Sequence, residues 1–145
     1  MRVEIFLAGP PRGKGRPRAS VRAGFVRMHT DEKTVKYETQ LRYAAQQEMA
    51  GRVPTELPVR ISMTIAFAVP QAWSKKKKQE ALEGRIWPCV KPDADNTLKL
   101  TDALNGIVWA DDKQVVVALV RKVYSARPGL TIDIDTLNAQ QLLAA

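Results

Sequence analysis

Residues 58–69 alternate almost without interruption. Val59, Ile61, Met63, Ile65, Phe67 and Val69 fall on one side, and Arg60, Ser62, Thr64, Ala66 and Ala68 on the other. A period of two over this length predicts a strand of the main sheet. "RVEIFLA" repeats the pattern through Val3, Ile5 and Leu7 and predicts a second, half-buried strand. "VVVALVRKVY", residues 115–124, is β-branched and apolar on both faces, which predicts a central strand covered on both sides. "LTIDIDT" alternates once more and predicts a last, more peripheral strand. Its aspartates Asp133 and Asp135 face solvent in this reading. The tail "LNAQQLLAA" frays or forms a short helix.

Helical periodicity marks three other stretches. Thr30 or Asp31 caps a helix running to about residue 50, with Tyr37, Leu41, Ala44 and Ala45 inward and Gly51 as the stop. "SKKKKQEALEGR" has a serine cap and a glycine stop and predicts a short surface helix. Its four lysines read as a solvated face in preference to phosphate contacts. A third helix begins after Pro92 and continues to about Leu104, closing at Asn105 and Gly106. Its core side is Leu100, Ala103, Leu104 and Ile107, and Asp95, Lys99 and Asp102 gather opposite.

Between the first strand and the first helix, "GPPRGKGRPR" forbids regular structure and predicts a flexible basic loop. "ASVRAGFVRM" then predicts a hairpin turning at Ala23 and Gly24. No internal repeat or linker interrupts the 145 residues, so one domain, 1–145, is expected.

Composition narrows the chemistry. With 45% hydrophobic and 26% charged residues, and no apolar run near the roughly 18 residues of a membrane span, a folded, intracellular (cytoplasmic), non-membrane protein is expected. The N-terminus lacks the apolar centre of a secretory signal. One cysteine, Cys89, excludes an internal disulfide and a cysteine zinc site. One histidine, His29, excludes a multi-histidine metal site and leaves a serine-type triad little support.

A net charge of +8 favours a polyanionic partner, nucleic acid before membrane. Residues 1–30 carry seven basic side chains against one acid, while residues 91–114 carry five aspartates against three lysines. A basic chain has gathered acids in one place.

That place begins with "KPDADNTLK". Either Asp93 or Asp95 can cap the helix, and Lys99 stands four residues beyond Asp95 in the favourable order for a surface ion pair. A second pair, Asp111 and Asp112, follows the helix and feeds the next strand. Helix and strand return side by side in a compact domain, so both pairs can meet at one end of the sheet. Aspartates meeting without histidine or cysteine suit a hard cation, Mg²⁺ above all, completed by water and phosphate. An EF-hand is excluded, because Leu98 and Leu104 stand where its glycine and glutamate belong. The basic residues Arg12, Lys14, Arg16 and Arg18, with Lys91 beside the acidic run, are candidate DNA contacts or simply solvated.

The run "KPDADNTLKLTDALNGIVWADDKQVV" resembles the signature of the RusA family of Holliday-junction resolvases in its prophage form. Its combination of D-x-D-N, a lysine, D-A-L-N-G and D-D-x-Q-V is far more specific than D-x-D alone. The resemblance implies an α+β fold, a single small domain with a mixed β-sheet packed against helices. It further implies a homodimer that binds four-way junction DNA and cuts opposed strands with Mg²⁺. Matched position by position, it puts metal-binding or catalytic roles on Asp93, Asp95 and Asp112 and the essential lysine on Lys99. Asp111 is a further candidate ligand.

Overall fold

The computed structural model describes residues 1–139; the predicted helix or frayed end of the tail lies largely outside the described residues. Four strands form one mixed sheet: β1 (Arg2–Ala8), β4 (Val59–Phe67), β5 (Val115–Tyr124) and β6 (Gly129–Thr136), in the order β1-β6-β4-β5. β6 runs antiparallel to both β1 and β4, and β5 runs parallel to β4. β2 (Arg18–Arg22) and β3 (Phe25–His29) form a separate antiparallel hairpin. The α+β reading therefore holds, with a mixed sheet packed against helices.

One face of the sheet is apolar. Val3 and Ile5 of β1, Ile61, Met63 and Ile65 of β4, and Leu130, Ile132 and Ile134 of β6 are buried on it. Helix α1 (Glu32–Met49) covers this face with Thr34, Tyr37, Leu41, Ala45 and Met49, one stripe at helical spacing. Asp31 is its cap, its carboxylate accepting from the Thr34 amide at 2.8 Å, and the chain leaves through Ala50 in a left-handed conformation. Helix α2 (Lys75–Leu82) is capped by Ser74 as expected and buries only Ala81.

Two strand expectations are corrected. Val115–Tyr124 is an edge strand, with Val116 and Leu119 more than half exposed, and is not the central strand its apolar sequence suggested. "LTIDIDT" is interior, hydrogen-bonded on both sides, and is not peripheral. The reason is that side-chain pattern gives the period of a strand, whereas sheet order is decided by pairing of backbone groups that every residue carries alike, and the cover on each face by which elements pack there. The opposite face of the sheet is polar, so β5 is not covered on both sides. Asp133 and Asp135 stand there half-buried, not free in solvent. Asp135 accepts from Arg60 at 3.2 Å, and Arg2 approaches both acids at 3.9–4.0 Å. The strand expected over 58–69 ends at Phe67.

The parallel pairing of β4 with β5 requires a long crossover. That crossover holds α2, then α3 (Ala94–Leu98), a 3-10 turn over Lys99–Leu104, and a short 3-10 turn over Asp112–Gln114. The helix expected from Pro92 to Leu104 is thus split. Its core side is as expected, with Leu100, Ala103 and Leu104 buried. The following turn is fixed by fully buried Trp109, whose indole N–H donates to the Asn105 carboxamide at 2.6 Å. No helix among the described residues is long and apolar enough to cross a membrane.

Candidate active site

Pro92 ends the extended approach to α3, and Asp93 occupies the position before the helix with β-region backbone angles. Its side chain makes no capping hydrogen bond. The first turn is tied instead through Thr97, whose hydroxyl donates to the Asp93 carbonyl at 3.2 Å. The Asp93 carboxylate therefore remains exposed and unengaged by the helix it precedes. Asp95, one turn along the outer face, lies 3.9 Å from the Lys99 ammonium, the expected i,i+4 pair. Both side chains are largely exposed, so this contact contributes little to stability.

The crossover then returns to the sheet at Asp111 and Asp112. Asp111 caps the short turn: its carboxylate accepts from the Lys113 amide at 3.0 Å, and the Gln114 side chain accepts from the Asp111 amide at 2.8 Å. The Gln114 amide group donates in turn to the carbonyls of Thr55 and Leu57, pinning the turn to the segment that leads into β4. The hydrogen bond from the Lys113 amide, with help from neighbouring Asp112 and the Lys113 charge, holds the Asp111 carboxyl below its usual range. Asp112 has no such capping duty.

Because α3 packs on β5, the two acidic stretches converge. Asp95, Lys99, Asp102 and Asp112 line one hollow, floored by Ile61, Val115 and Ala118. Asp93 lines the adjoining hollow, again with Asp95, Lys99 and Asp102. Among the described residues, no three acidic, histidine or cysteine side chains stand close enough together to enclose a metal ion. The arrangement is a row of carboxylates along a cleft, not a closed cage. Asp111 is turned to its cap.

The basic loop is irregular, as expected, but it is anchored. The Lys14 amide donates to the Asn96 carbonyl at 2.9 Å, the Gly15 amide to the Thr34 hydroxyl at 3.0 Å, and Thr97 reaches the Arg12 carbonyl. The loop is thus a wedge between α1 and α3, which corrects the expectation of flexibility. Gly15 allows that approach: a Cβ there would stand 1.8 Å from an Asp31 carboxylate oxygen. Asp31 is held below its usual carboxylate range by the Thr34 hydroxyl and amide.

Lys14 does not point freely outward. Its ammonium lies 3.3 Å from both Glu38 and Asp102. Burial works against the charged amine, but the hydrogen bond to Asp102 and the charge of Glu38 outweigh it and raise its pKa. Arg12, Arg16 and Lys91, with Lys33, border an open depression of ≈ 570 Å³ beside Asp93 and Asn96. Arg18 continues this rim with Arg16. On the α1 side of the loop, burial pushes the Tyr37 phenol up to about 12, against the opposing charge of Arg12.

Reading the sequence alone missed the Lys14–Glu38–Asp102 cluster and the structural duty of Gln114. The only signal for the first was an acid, Glu38, flanking the buried stripe of Thr34, Tyr37 and Leu41, where its side chain is only 13% exposed. For the second it was the D-D-x-Q spacing, which is that of a cap with its reciprocal partner.

Comparison with known proteins completes the picture. Residues 8–135 match the family described as Endodeoxyribonuclease RusA. A protein of Bacillus subtilis (strain 168), described as Uncharacterized protein YqaN, is 34% identical over 140 residues, covering 94% of this chain and 98% of the relative.

Proposed function

The chain belongs to the endodeoxyribonuclease RusA family, and from that premise we propose that it cuts four-way DNA junctions by Mg²⁺-dependent phosphodiester hydrolysis, in DNA recombination and repair inside the cell. The observation that carries this reading is the convergence of Asp95, Lys99 and Asp112 on one cleft, with Asp93 next to it and a basic rim alongside. A nuclease needs both charges at one place: acids to hold a cation, and bases to hold the polyanion.

The donor set fits Mg²⁺. It offers carboxylate oxygen alone, and Mg²⁺ is usually held by one or two carboxylates with water and substrate phosphate filling the rest, so an open row suffices where a cage is lacking. In this proposal Asp95 and Asp112 hold the ion, Asp93 assists from the adjoining hollow, and Asp111 stays with its cap. The bound cation supplies an activated water and polarises the scissile phosphate.

The chain's own groups do the remaining work. Lys99, which lines the same cleft as Asp95 and Asp112, offsets the negative charge that grows on the phosphoryl oxygens during attack. Lys14, 3.3 Å from Asp102, places a positive charge among the acids and lowers their mutual repulsion. Arg12, Arg16, Arg18 and Lys91 contact the backbone of a DNA arm, and a symmetric homodimer presents two such clefts to a nearly two-fold junction.

The test is to incubate the purified protein with a labelled synthetic four-way junction and a linear duplex of matching sequence, with and without Mg²⁺. Paired, symmetric, metal-dependent cuts on the junction alone support the proposal. Tight junction binding with no cutting at any metal concentration, over several junction sequences, makes it a binding module.

A further inference from the structure

The β2–β3 hairpin belongs to neither the core nor the cleft. Every residue of its two strands except Ser20 is exposed. It turns through Ala23 and Gly24, with φ of 53° and 78°, the pair of positive angles that a tight two-residue hairpin demands. The backbone therefore specifies a tight two-stranded finger.

Its register separates the side chains by kind. Directly opposed residues share a face, so the pairs Arg18–His29, Ser20–Arg27 and Arg22–Phe25 lie on one side, and Ala19–Met28 and Val21–Val26 on the other. The first face is basic, with an aromatic ring beside the turn. It is also organised: His29 Nε2 and the Ser20 hydroxyl are hydrogen-bonded at 2.7 Å, and a hollow lies between Ser20, Arg22, Arg27 and His29. Residues 18–30 contain no acid. Among the described residues, neither Arg22 nor Arg27 has an ion-pair partner, unlike Lys14 and Lys99 at the cleft.

The finger springs directly from the site. Its first residue, Arg18, ends the loop that borders the cleft, and its last leads through Thr30 into the Asp31 cap of α1. We propose that this hairpin is a second nucleic-acid contact: Arg22 and Arg27 hold phosphates of an arm leaving the cleft, and Phe25 stacks on a base exposed where strands part. Unpaired arginines on an acid-free strand face are complementary to a polyanion, and an exposed ring at a tip gives a base something to stack on. The inference rests on the nuclease reading above and adds the feature that distinguishes branched from linear DNA.

Binding is measured by fluorescence anisotropy on a four-way junction and a matching duplex, in Ca²⁺ to prevent cutting, over a range of salt concentrations. Arg22→Ala with Arg27→Ala weakens binding to both DNAs about tenfold or more and lowers the slope of log affinity against log salt by about 2. Phe25→Ala leaves that slope unchanged and weakens junction binding at least fivefold more than duplex binding. Thermal melting of each variant stays at the wild-type temperature, because these side chains pack against no core.

Unchanged affinity and slope in the arginine variant overturn the phosphate contact. Equal losses on junction and duplex in Phe25→Ala overturn the stacking role. A change of oligomeric state in Val21→Ser with Val26→Ser, with DNA binding intact in the arginine variant, makes the hairpin a protein interface instead. Wild-type protein that neither binds nor cuts DNA removes the nuclease reading itself, a result distinguishable from all three.

Discussion

The chain holds two pairs of aspartates at the same spacing, Asp93 and Asp95 in "DAD" and Asp133 and Asp135 in "DID". The second pair alternates along an interior strand, and its charges are matched across the sheet by Arg60 and Arg2. The first pair opens a short helix, where Asp93 takes no cap bond and Asp95 has only a loose contact with Lys99. Spacing of two is therefore chemically silent by itself. On a strand it puts both acids on one face of a sheet, where cross-strand arginines satisfy them. At a helix start it leaves them on the rim of a cleft, short of partners. Acids short of partners have the capacity to hold a cation.

Substitutions test this difference directly. Asp95→Asn abolishes junction cleavage while leaving junction binding and melting temperature near wild type. Persistent cutting at the wild-type rate would place the metal elsewhere. Lys99→Ala slows the cleavage step by roughly 100- to 1,000-fold, the loss expected for one positioned electrostatic group. Single-turnover rates at saturating DNA check it, and an unchanged rate removes Lys99 from the chemistry.

The packed floor beneath the loop has its own signature at alkaline pH. The Tyr37 phenol titrates higher in the folded protein, about 12, than in the unfolded chain, near 10. Its contribution is thus fully present below pH 10 and is lost as pH rises through 12, amounting to roughly 2 kcal/mol over that window. Tyr37→Phe removes this component and flattens the decline in chemical-denaturation stability. An identical pH profile in the variant would show that the phenol is not the group responsible.

On the strand pair the expected change is to stability alone. Asp135→Asn weakens the Arg60 contact and costs about 1–2 kcal/mol, with the cleavage rate of folded protein unaltered. A specific loss of cleavage without destabilisation would give the second pair a functional part after all. The smallest effect belongs to Asp111→Asn. Asparagine caps nearly as well as aspartate, so stability shifts by less than about 0.5 kcal/mol and cleavage persists. Loss of cleavage as deep as that of Asp95→Asn would make Asp111 a ligand.

Much of this was legible in the residues, for reasons that are local. The 3.6 period and an Asp cap define α1, and the period of two defines β4 and the inner face of β6. Gly24 announces the hairpin because glycine takes a positive φ without steric cost, and Ala23 before it is carried into the same region by the turn. The acids of the cleft stood out because they cluster within 20 positions of one another in a basic chain.

What tertiary structure decided is everything that depends on partners distant in the chain. β5 lies at the edge and β6 inside because backbone pairing sets strand order, and backbone groups are the same under any sequence. The basic loop is a wedge because Asn96 and Thr34, more than 80 and about 20 positions away, offer a carbonyl and a hydroxyl to its amides. Lys14 resembled its neighbours Arg12 and Arg16 in the linear chain. Only the packing of α1 against the turn after α3 brings Glu38 and Asp102 to it. Local pattern determines the period of helix and strand and where the chain turns; the cover each face receives and the charges its side chains meet are chosen by the fold, because packing, Coulomb and hydrogen-bond partners are selected by distance in space.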